Sequence, residues 1–471
     1  MTEPPTIPSV HELDAAATGT GPQPPAAGAP ASEDSMRPLY AVAVTVAVTF
    51  AVVAALILQT SPTLSPNDTS RWNAVWAMLE TGRCSWVGNG PWWTIDRCTY
   101  DPVDTKEQIL RARWYSSKPY FMQVLLAGVA WPICRIAHLD VKEHLSIVGR
   151  AVLILFNAVP MALFLAFFGR WLLRVRSGGF AFAYSLIAAA AGTYLTAYCI
   201  TLNNHVPAAI CAFFSLYALF GISARGTAAS WGWFARAGFF GGMAAAFDAP
   251  AAAILGLGFA CAALRFVRQR RSSGRAEWAP AAFVPAALVP VCGYFLANYL
   301  CTGQWLSFQW RFPQHYDPYW RNPTGLDALH EPKGFYLLQQ TFGHHGFFSL
   351  TPIFLLSLVG FIRNLRDRQG GLRLIAALSA LSSLAVFAFV TWRMHNYGGT
   401  CQGSRWLFWL IPMWLMMLPA GVEWIARRSL GRWIAVIFLA ISVFSTAYAS
   451  RMPWSRSWLH ELYAAAGIIN Y

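Results

Sequence analysis

Long apolar runs separated by short polar segments recur along most of the 471-residue chain. The first run extends from Leu39 to about Leu58. The others lie near 146–168, 180–200, 204–222, 233–247, 250–265, 279–300, 346–362, 374–392, 405–424 and 432–449. Many approach the ~20 residues that an α-helix needs to cross a ~30 Å hydrocarbon core. The pattern therefore predicts an all-α polytopic membrane protein with about 11 transmembrane helices.

Short basic segments between these runs predict the orientation of the chain. They are RWLLRVR (170–176), RFVRQRRSSGR (265–275), RNLRDRQGGLR (363–373) and ARRSLGR (426–432). Short loops rich in Lys and Arg mark the cytoplasmic side of a membrane, so we expect a cytoplasmic N-terminus. The predicted outer segments are the loops 61–145, 301–345 and 393–404 and the C-terminal tail 450–471.

Two segments outside the spans have their own predicted structure. Residues 1–36 are rich in Pro, Ala, Gly and Ser, which predicts a disordered cytoplasmic tail ahead of a transmembrane domain over 37–449. The apolar segment 120–134 falls in the first outer loop. It is too short to span comfortably, so we expect an interfacial helix there.

Composition supports a membrane protein and narrows its partners. Hydrophobic residues make up 56% of the chain and charged residues 12%, whereas soluble proteins carry about 25% charged residues. Much of the net charge of +14 comes from arginines in short loops. That placement indicates topology rather than nucleic-acid binding, and the lipid bilayer is the expected partner.

The cysteines of the predicted outer segments are disulfide candidates, since thiols outside the cytoplasm can oxidise. Cys84 and Cys98 share the first outer loop, and Cys301 and Cys401 form a second possible pair. No pair of cysteines has the spacing of zinc ligands, so the sequence predicts no metal site from them.

Polar residues beside the apolar runs collect mostly at the predicted outer ends. They are Asp68, Arg150, Asn203, Asn204, His205, Asp248, His344, His345, His395 and Arg405. Ionisable groups there are costly unless paired or hydrated, so together they predict an outward-facing cavity. The structural alternatives are helix caps for Asp248 and 203–205, hydrated interface positions for the adjacent histidines, and lipid-headgroup contacts for the arginines.

Four segments carry a resemblance to a known class of membrane enzymes. They are NDTSRWNAVWAMLETG (67–82), SSKPYFMQVLLAGV (116–129), VGRAVLILFN (148–157) and NYGGTCQGSRWLFWLIP (396–412). They are similar to segments of the GT-C class of glycosyltransferases, which includes protein O-mannosyltransferases and lipid A aminoarabinose transferases. The order of one span, a long outer loop with an interfacial helix, and many further spans also resembles that class. One departure is Asn67-Asp68, where many relatives have two acids.

The resemblance implies transfer of a sugar from a polyprenyl-phosphate donor to an unknown acceptor, at the outer face of a bacterial plasma membrane. Asp68 would be the general base. The phosphate would be bound by Arg405, Arg150 and Lys118. The other expected substrate-binding residues are His344, His345, His395, Asn203, Asn204, His205 and Asp248. A divalent metal on the first three of these histidines is an alternative that we do not favour, because no carboxylate adjoins them.

Aromatic residues in 88–97 and 309–320 offer ring faces for a sugar, or else belong to the aromatic belt of the membrane interface. Two other functions stay open at this point. One is a transporter or flippase for a lipid-linked glycan, and the other is a non-catalytic protein of envelope assembly. The collection of polar groups at the outer ends favours surface chemistry over transport.

Overall fold

The computed structural model describes residues 33–273, 278–308, 317–321, 331–367 and 370–469. The chain divides into two compact units, Met1–Ala41 and Val42–Tyr471. The predicted tail 1–36 lies outside the described residues as far as residue 32, and residues 33–36 are already helical.

Most of the described chain is helical. The helices of the first half are α1 (Glu33–Gln59), α2 (Pro66–Thr81), α3 (Lys106–Arg111), α4 (Tyr120–Ala137), α5 (Leu145–Leu153), α6 (Val159–Arg174), α7 (Gly179–Ala191), α8 (Tyr194–Tyr198), α9 (His205–Arg225) and α10 (Trp231–Phe247). Those of the second half are α11 (Ala252–Ser273), α12 (Phe283–Thr302), α13 (Lys333–Thr341), α14 (Ile353–Leu365), α15 (Gly370–Arg393), α16 (Ile411–Ile425), α17 (Ser429–Arg451) and α18 (Trp458–Ala465). A π turn, Ile154–Ala158, joins α5 to α6.

Ten helices of the described chain are long and apolar enough to cross a membrane, which makes this a multi-pass membrane protein. One of them is α4, which has 18 residues and extends past the segment that the sequence predicts as interfacial. Two predicted spans form shorter helices: α10 has 17 residues and α14 has 13. Each predicted run thus contains a helix, and the difference in the number of spans comes from helix length.

Close approach between neighbouring helices depends on glycines. A Cβ at Gly242 of α10 would lie 2.6 Å from the Ala287 carbonyl oxygen of α12, and one at Gly238 would overlap the Phe283 carbonyl. Gly360 of α14 and Gly421 of α16 are equally close to the facing backbone. Small residues at this spacing allow membrane helices to pack backbone against backbone.

The first outer loop carries a small antiparallel sheet. Its strands are β1 (Ser85–Val87), β2 (Arg97–Thr99) and β3 (Arg113–Ser116), and β3 lies between the other two. Helix α2 precedes the sheet. It begins after Ser65, whose side chain accepts a hydrogen bond from the Asp68 N–H, and it ends at Gly82 in the left-handed conformation.

The disulfide lies elsewhere than the sequence predicts. Cys84 bonds to Cys301 at the end of α12, whereas Cys98 and Cys401 are buried and belong to no disulfide within the described residues. The predicted Cys84–Cys98 and Cys301–Cys401 pairs are both wrong. Cys84 precedes β1 and Cys98 lies on β2, so the central strand separates them. The bond joins the sheet of the first outer loop to a membrane helix.

Candidate active site

One cavity of about 600 Å³ lies where all four predicted outer segments meet. Its wall is formed by Leu64, Ser65, Pro66, Asn67, Ile95, Asp96, Lys118, Tyr319, Trp320, Asn396, Gly398, Gly399, Thr400, Arg405, Trp406, Met452 and Trp454. Among the described residues, two cations, one carboxylate and four large aromatic rings therefore face the same space. We call it the outer cavity.

Lys118 and Asp96 form an ion pair in the wall of the outer cavity. The Lys118 Nζ lies 3.3 Å from the Asp96 Oδ1. Backbone contacts at the end of the sheet hold both residues, since the Asp96 carbonyl accepts the Ser117 N–H and the Lys118 N–H donates to the Ser116 hydroxyl. Burial lowers the pKa of Lys118, an effect that Asp96 opposes and that Arg405 and Arg71 reinforce.

Among the described residues, Arg405 is a buried cation that forms no ion pair with a carboxylate. Only 8% of the residue is exposed, and its buried Nε has no hydrogen-bond partner in the described part of the chain. Its guanidinium lies 5.0 Å from the ring centroids of both Trp406 and Trp454. A buried guanidinium in a cavity wall is a favourable position for the binding of an anion.

The position of Arg405 depends on a glycine. Gly398 has a φ of +110°, and a Cβ there would overlap the Arg405 side chain. The amides of Gly398 and Gly399 both donate to the Asn396 side chain, at 2.8 and 3.2 Å. Gly398 and Gly399, in the segment 396–412, thus form the backbone against which the Arg405 side chain packs.

Asp68 lies beside the outer cavity but does not line it. Its carboxylate is fully buried and accepts hydrogen bonds from the Ser65 hydroxyl and the Leu202 N–H. Burial raises the pKa of Asp68 from 3.8 to about 6, against the effect of these donors and of Arg71. The preceding residue, Asn67, faces the cavity instead.

Arg71 is a residue that the sequence interpretation missed. It lies one helical turn after Asp68, and its guanidinium donates to the Leu202 carbonyl at 2.7 Å and to the Asn204 side chain at 3.1 Å. Burial lowers the pKa of Arg71 to about 10, with Asp68 and Asp96 opposing. The Asp–Arg pair three residues apart on a predicted helix was the available signal.

The turn 202–205 contacts a residue of the outer-cavity wall from the side away from the cavity. The Asn203 side chain accepts the N–H groups of His205 and Val206 at 3.1 and 2.9 Å, so it satisfies the first two amides of α9, although Asn204 is the N-cap residue. The His205 Nδ1 lies 2.6 Å from the Asp248 Oδ2, and both residues are buried. The rings of His205 and Trp406 are nearly perpendicular, with centroids 5.7 Å apart. His205 and Asp248 therefore support a wall residue.

The adjacent histidines belong to a separate buried cluster. His344 and His345 are 0% and 1% exposed, so the hydrated-interface alternative is wrong. His460 lies beside them, and Tyr397 stacks on His345 with centroids 4.3 Å apart. Burial lowers the pKa of His344 to about 3, and His460 adds to the effect. None of the three lines the outer cavity.

Two further candidates also lie away from the cavity wall. The Arg150 Nε donates to the Thr60 carbonyl at 3.4 Å, and His395 is exposed. The sequence places His395 with His344 and His345 as a possible metal set. In the ranges that the structure describes, no three His, Cys, Asp or Glu side chains are grouped to hold a metal ion.

The described part of the aromatic segment 309–320 does line the cavity. Tyr319 and Trp320 form part of its wall, and the Trp320 indole donates to the Ile95 carbonyl at 2.9 Å. An ion pair of 2.9 Å between Arg97 and Asp317 fastens this segment to β2. Residues 309–316 lie outside the described residues.

No family model and no curated protein sequence matches the chain. The solved structures that are similar to it include two transferases. ArnT from Cupriavidus metallidurans in the apo state is 16% identical, with a TM-score of 0.49 over 85% of this chain and 62% of that chain. The archaeal oligosaccharyltransferase AglB from Archaeoglobus fulgidus, in complex with an inhibitory peptide and a dolichol-phosphate, is 13% identical, with a TM-score of 0.45 over 92% and 58%.

Both proteins are GT-C glycosyltransferases, the class that the sequence resembles. The chain spans about three fifths of the length of each of them. At these scores the likeness carries no argument about the substrate or the reaction.

Proposed function

We propose that the protein is a membrane glycosyltransferase that moves a sugar from a polyprenyl-phosphate donor to an acceptor hydroxyl in the outer cavity, on the extracytoplasmic side. The observation that carries the proposal is Arg405, a buried guanidinium that forms no ion pair within the described part of the chain, placed in the same wall as Lys118. Two cations on one cavity suit a ligand that is an anion.

The leaving group explains why these cations are needed. When an acceptor oxygen attacks the anomeric carbon, the bond from that carbon to the phosphate oxygen breaks and negative charge develops on the lipid phosphate. The planar guanidinium of Arg405 can donate two parallel hydrogen bonds to phosphate oxygens, and Lys118 adds a second charge. Both side chains are largely buried, where such stabilisation is stronger than in water.

The general base is the carboxylate that faces the same space. Asp96 lines the cavity, whereas Asp68, the base expected from the resemblance, does not. Asp96 would take the proton of the acceptor hydroxyl as the new glycosidic bond forms, a role that contributes roughly 10²–10⁴-fold to the rate. Asp68 would act in support, because it and Arg71 both bond the backbone of Leu202.

The remaining wall suits a sugar. Trp320, Trp406 and Trp454 present indole rings to the cavity. Aromatic faces pack against the C–H surface of a sugar ring, and an adjacent cation strengthens the polar end of the site. A lipid-linked donor also accounts for a membrane enzyme whose sequence has no phosphate-binding or dinucleotide glycine motif.

Mass spectrometry of lipid-linked sugars and of glycans tests the proposed reaction. Cells that carry the wild-type gene, no gene, or the Asp96→Asn variant are compared at equal protein levels. We expect both altered strains to lack one glycan modification and to accumulate its polyprenyl-phosphate donor. Transport of a labelled lipid-linked glycan across vesicles, with no new glycosidic bond, would show a flippase instead. Unchanged lipids and glycans in all strains would favour a non-catalytic protein.

A further inference from the structure

A second cavity, of about 790 Å³, follows the membrane helices and is almost wholly apolar. Its wall is formed by Leu125, Val129, Leu155, Phe156, Pro160, Leu163, Phe167, Pro207, Ile210, Cys211, Phe214, Tyr217, Ala218, Trp233, Arg236, Phe240, Met243 and Phe247. The five wall residues of α10 lie on one face of that helix. From Trp233 to Phe247 the cavity extends roughly 21 Å, at 1.5 Å per residue. We call it the lipid groove.

The two ends of the lipid groove differ. Phe247 precedes Asp248, which pairs with His205 behind the outer cavity. Trp233 lies at the opposite end, near the loop that joins α9 to α10. The groove therefore runs from the level of the proposed active site toward the other side of the membrane.

Two arginines flank Trp233 at that far end. The guanidinium carbon of Arg225 lies 4.2 Å from the indole centroid, and that of Arg236 lies 5.1 Å from it. Arg225 also donates to the Gly221 carbonyl at 3.1 Å. Neither arginine has an ion-pair partner among the described residues. Two positively charged side chains thus contact one indole ring, and no acidic side chain of the described residues pairs with either of them.

The ring between these arginines is held in place by the fold. A Cβ at Gly221 would lie 2.6 Å from the Trp233 ring, so the indole packs directly on α9. A third cation, Arg174, lies 5.2 Å from the ring of Tyr217, which also lines the groove. Between Glu143 and Asp248 the sequence contains no acidic residue. This end of the groove therefore carries three arginines, and the stretch of chain that forms it supplies no acid.

We propose that the lipid groove binds an anionic glycerophospholipid, with the phosphate bound by Arg225 and Arg236 and one acyl chain along α10. The arginines favour an anionic ligand, and the apolar wall that begins at Trp233 favours a hydrocarbon chain. An anionic lipid has a charged phosphate followed by a hydrocarbon chain, which matches the order of the arginines and the apolar wall. The arginines lie near the end of the membrane helices, where lipid headgroups occur. It is independent of the proposed reaction, because its phosphate would lie at the opposite end from Lys118 and Arg405.

Native mass spectrometry of the purified protein with added phosphatidylglycerol or phosphatidylcholine of identical acyl chains tests this site. We expect retention of phosphatidylglycerol over phosphatidylcholine. Arg225→Gln and Arg236→Gln should each weaken retention of phosphatidylglycerol by roughly fivefold. Arg427→Gln is the matched control, since Arg427 is also an exposed arginine at a helix end but has no aromatic partner in the described ranges.

A second variant tests the hydrocarbon half of the site. Leu163 lines the groove and is half exposed, so Leu163→Trp should fill the groove without disrupting the core. We expect this variant to keep the wild-type unfolding midpoint in detergent and to lose bound phosphatidylglycerol. Equal retention of both lipids, or retention unaffected by all three substitutions, would overturn the proposal. Unchanged phosphatidylglycerol binding with a raised KM for the sugar donor in Leu163→Trp would assign the groove to the donor's tail instead.

Discussion

Lys118 and Asp96 pair across 3.3 Å in the wall of the outer cavity, close enough to Arg405 for the two cations to affect each other. The pair places a base candidate and a phosphate-binding candidate on the same surface. Because Asp96 is the carboxylate in that wall, its removal should affect the reaction more than the loss of any buried acid nearby.

Asp96→Asn should lower the turnover number by roughly 10²–10⁴-fold while leaving the affinity for the donor within a few-fold. The amide keeps the shape of the side chain but cannot take a proton. A transfer assay in proteoliposomes measures both quantities. Asp104→Asn is the matched control, an exposed acid of the same loop that does not line the cavity. Near-normal turnover in Asp96→Asn would remove Asp96 from the base role.

Asp68→Asn should fold and keep turnover within about tenfold of the wild type, well above Asp96→Asn. The asparagine oxygen can still accept the Leu202 N–H, and its amide can donate to the Ser65 hydroxyl, which reverses one hydrogen bond. The same proteoliposome assay compares the two variants. If Asp68→Asn is the inactive one, the base is Asp68, as the family resemblance implies.

The pH dependence of stability gives an independent view of Asp68. Its pKa is about 6 in the folded protein against 3.8 ordinarily, so the folded state binds more protons between these values. The contribution to stability is therefore present below pH 4 and is lost as the pH rises toward 6, by about 3 kcal/mol in total. The unfolding midpoint of the wild type in detergent should fall more steeply over this range than that of Asp68→Asn. Parallel curves would contradict the raised pKa.

Gly398→Ala should weaken donor binding although it adds a single methyl group. Its Cβ would overlap the Arg405 side chain and would sit at a φ of +110°, so the guanidinium must move. The KM for the donor in the transfer assay reports the change, which we expect to be at least about tenfold. Gly334→Ala is the control, because a Cβ there meets no atom within 4 Å. A KM that is unchanged in Gly398→Ala would mean that the arginine position is not critical.

The disulfide prediction is tested by peptide mapping without reduction. We expect a linked peptide that contains Cys84 and Cys301, and a free thiol at Cys98. Cys84→Ser and Cys301→Ser should each destabilise the protein by about 2–4 kcal/mol, and the double variant should be no worse than either. A linked Cys84–Cys98 peptide would restore the pairing that the sequence suggests.

The positions of the spans could be predicted because apolar length is a local property of the sequence. The two cations of the outer cavity, Lys118 and Arg405, were also predictable, since both flank apolar runs at the predicted outer side. The lengths of the helices were less predictable from the sequence. The 17-residue α10 is shorter than a typical span, and its glycine packing against α12 depends on a partner distant in sequence.

The assignment of the acids could not be made from sequence. Asp68 and Asn67 are neighbours on α2, and only the packed structure determines which one turns toward the cavity. Asp96 lies in the segment 88–97, whose aromatic residues are its most evident feature in the sequence. Its pairing with Lys118 depends on the order of the strands in the small sheet. His344 and His345 illustrate the reverse case, because polar side chains at a membrane edge proved to be buried in a cluster of their own.

The most direct test of the central claim is the affinity of the purified protein for undecaprenyl phosphate. Arg405→Ala should weaken binding by about 10- to 100-fold, as expected for a lost charge-assisted hydrogen bond. Arg150→Ala should leave it unchanged, because Arg150 does not line the outer cavity. Equal affinity of the wild type and Arg405→Ala, or a loss confined to Arg150→Ala, would contradict the account of the outer cavity as the donor phosphate site.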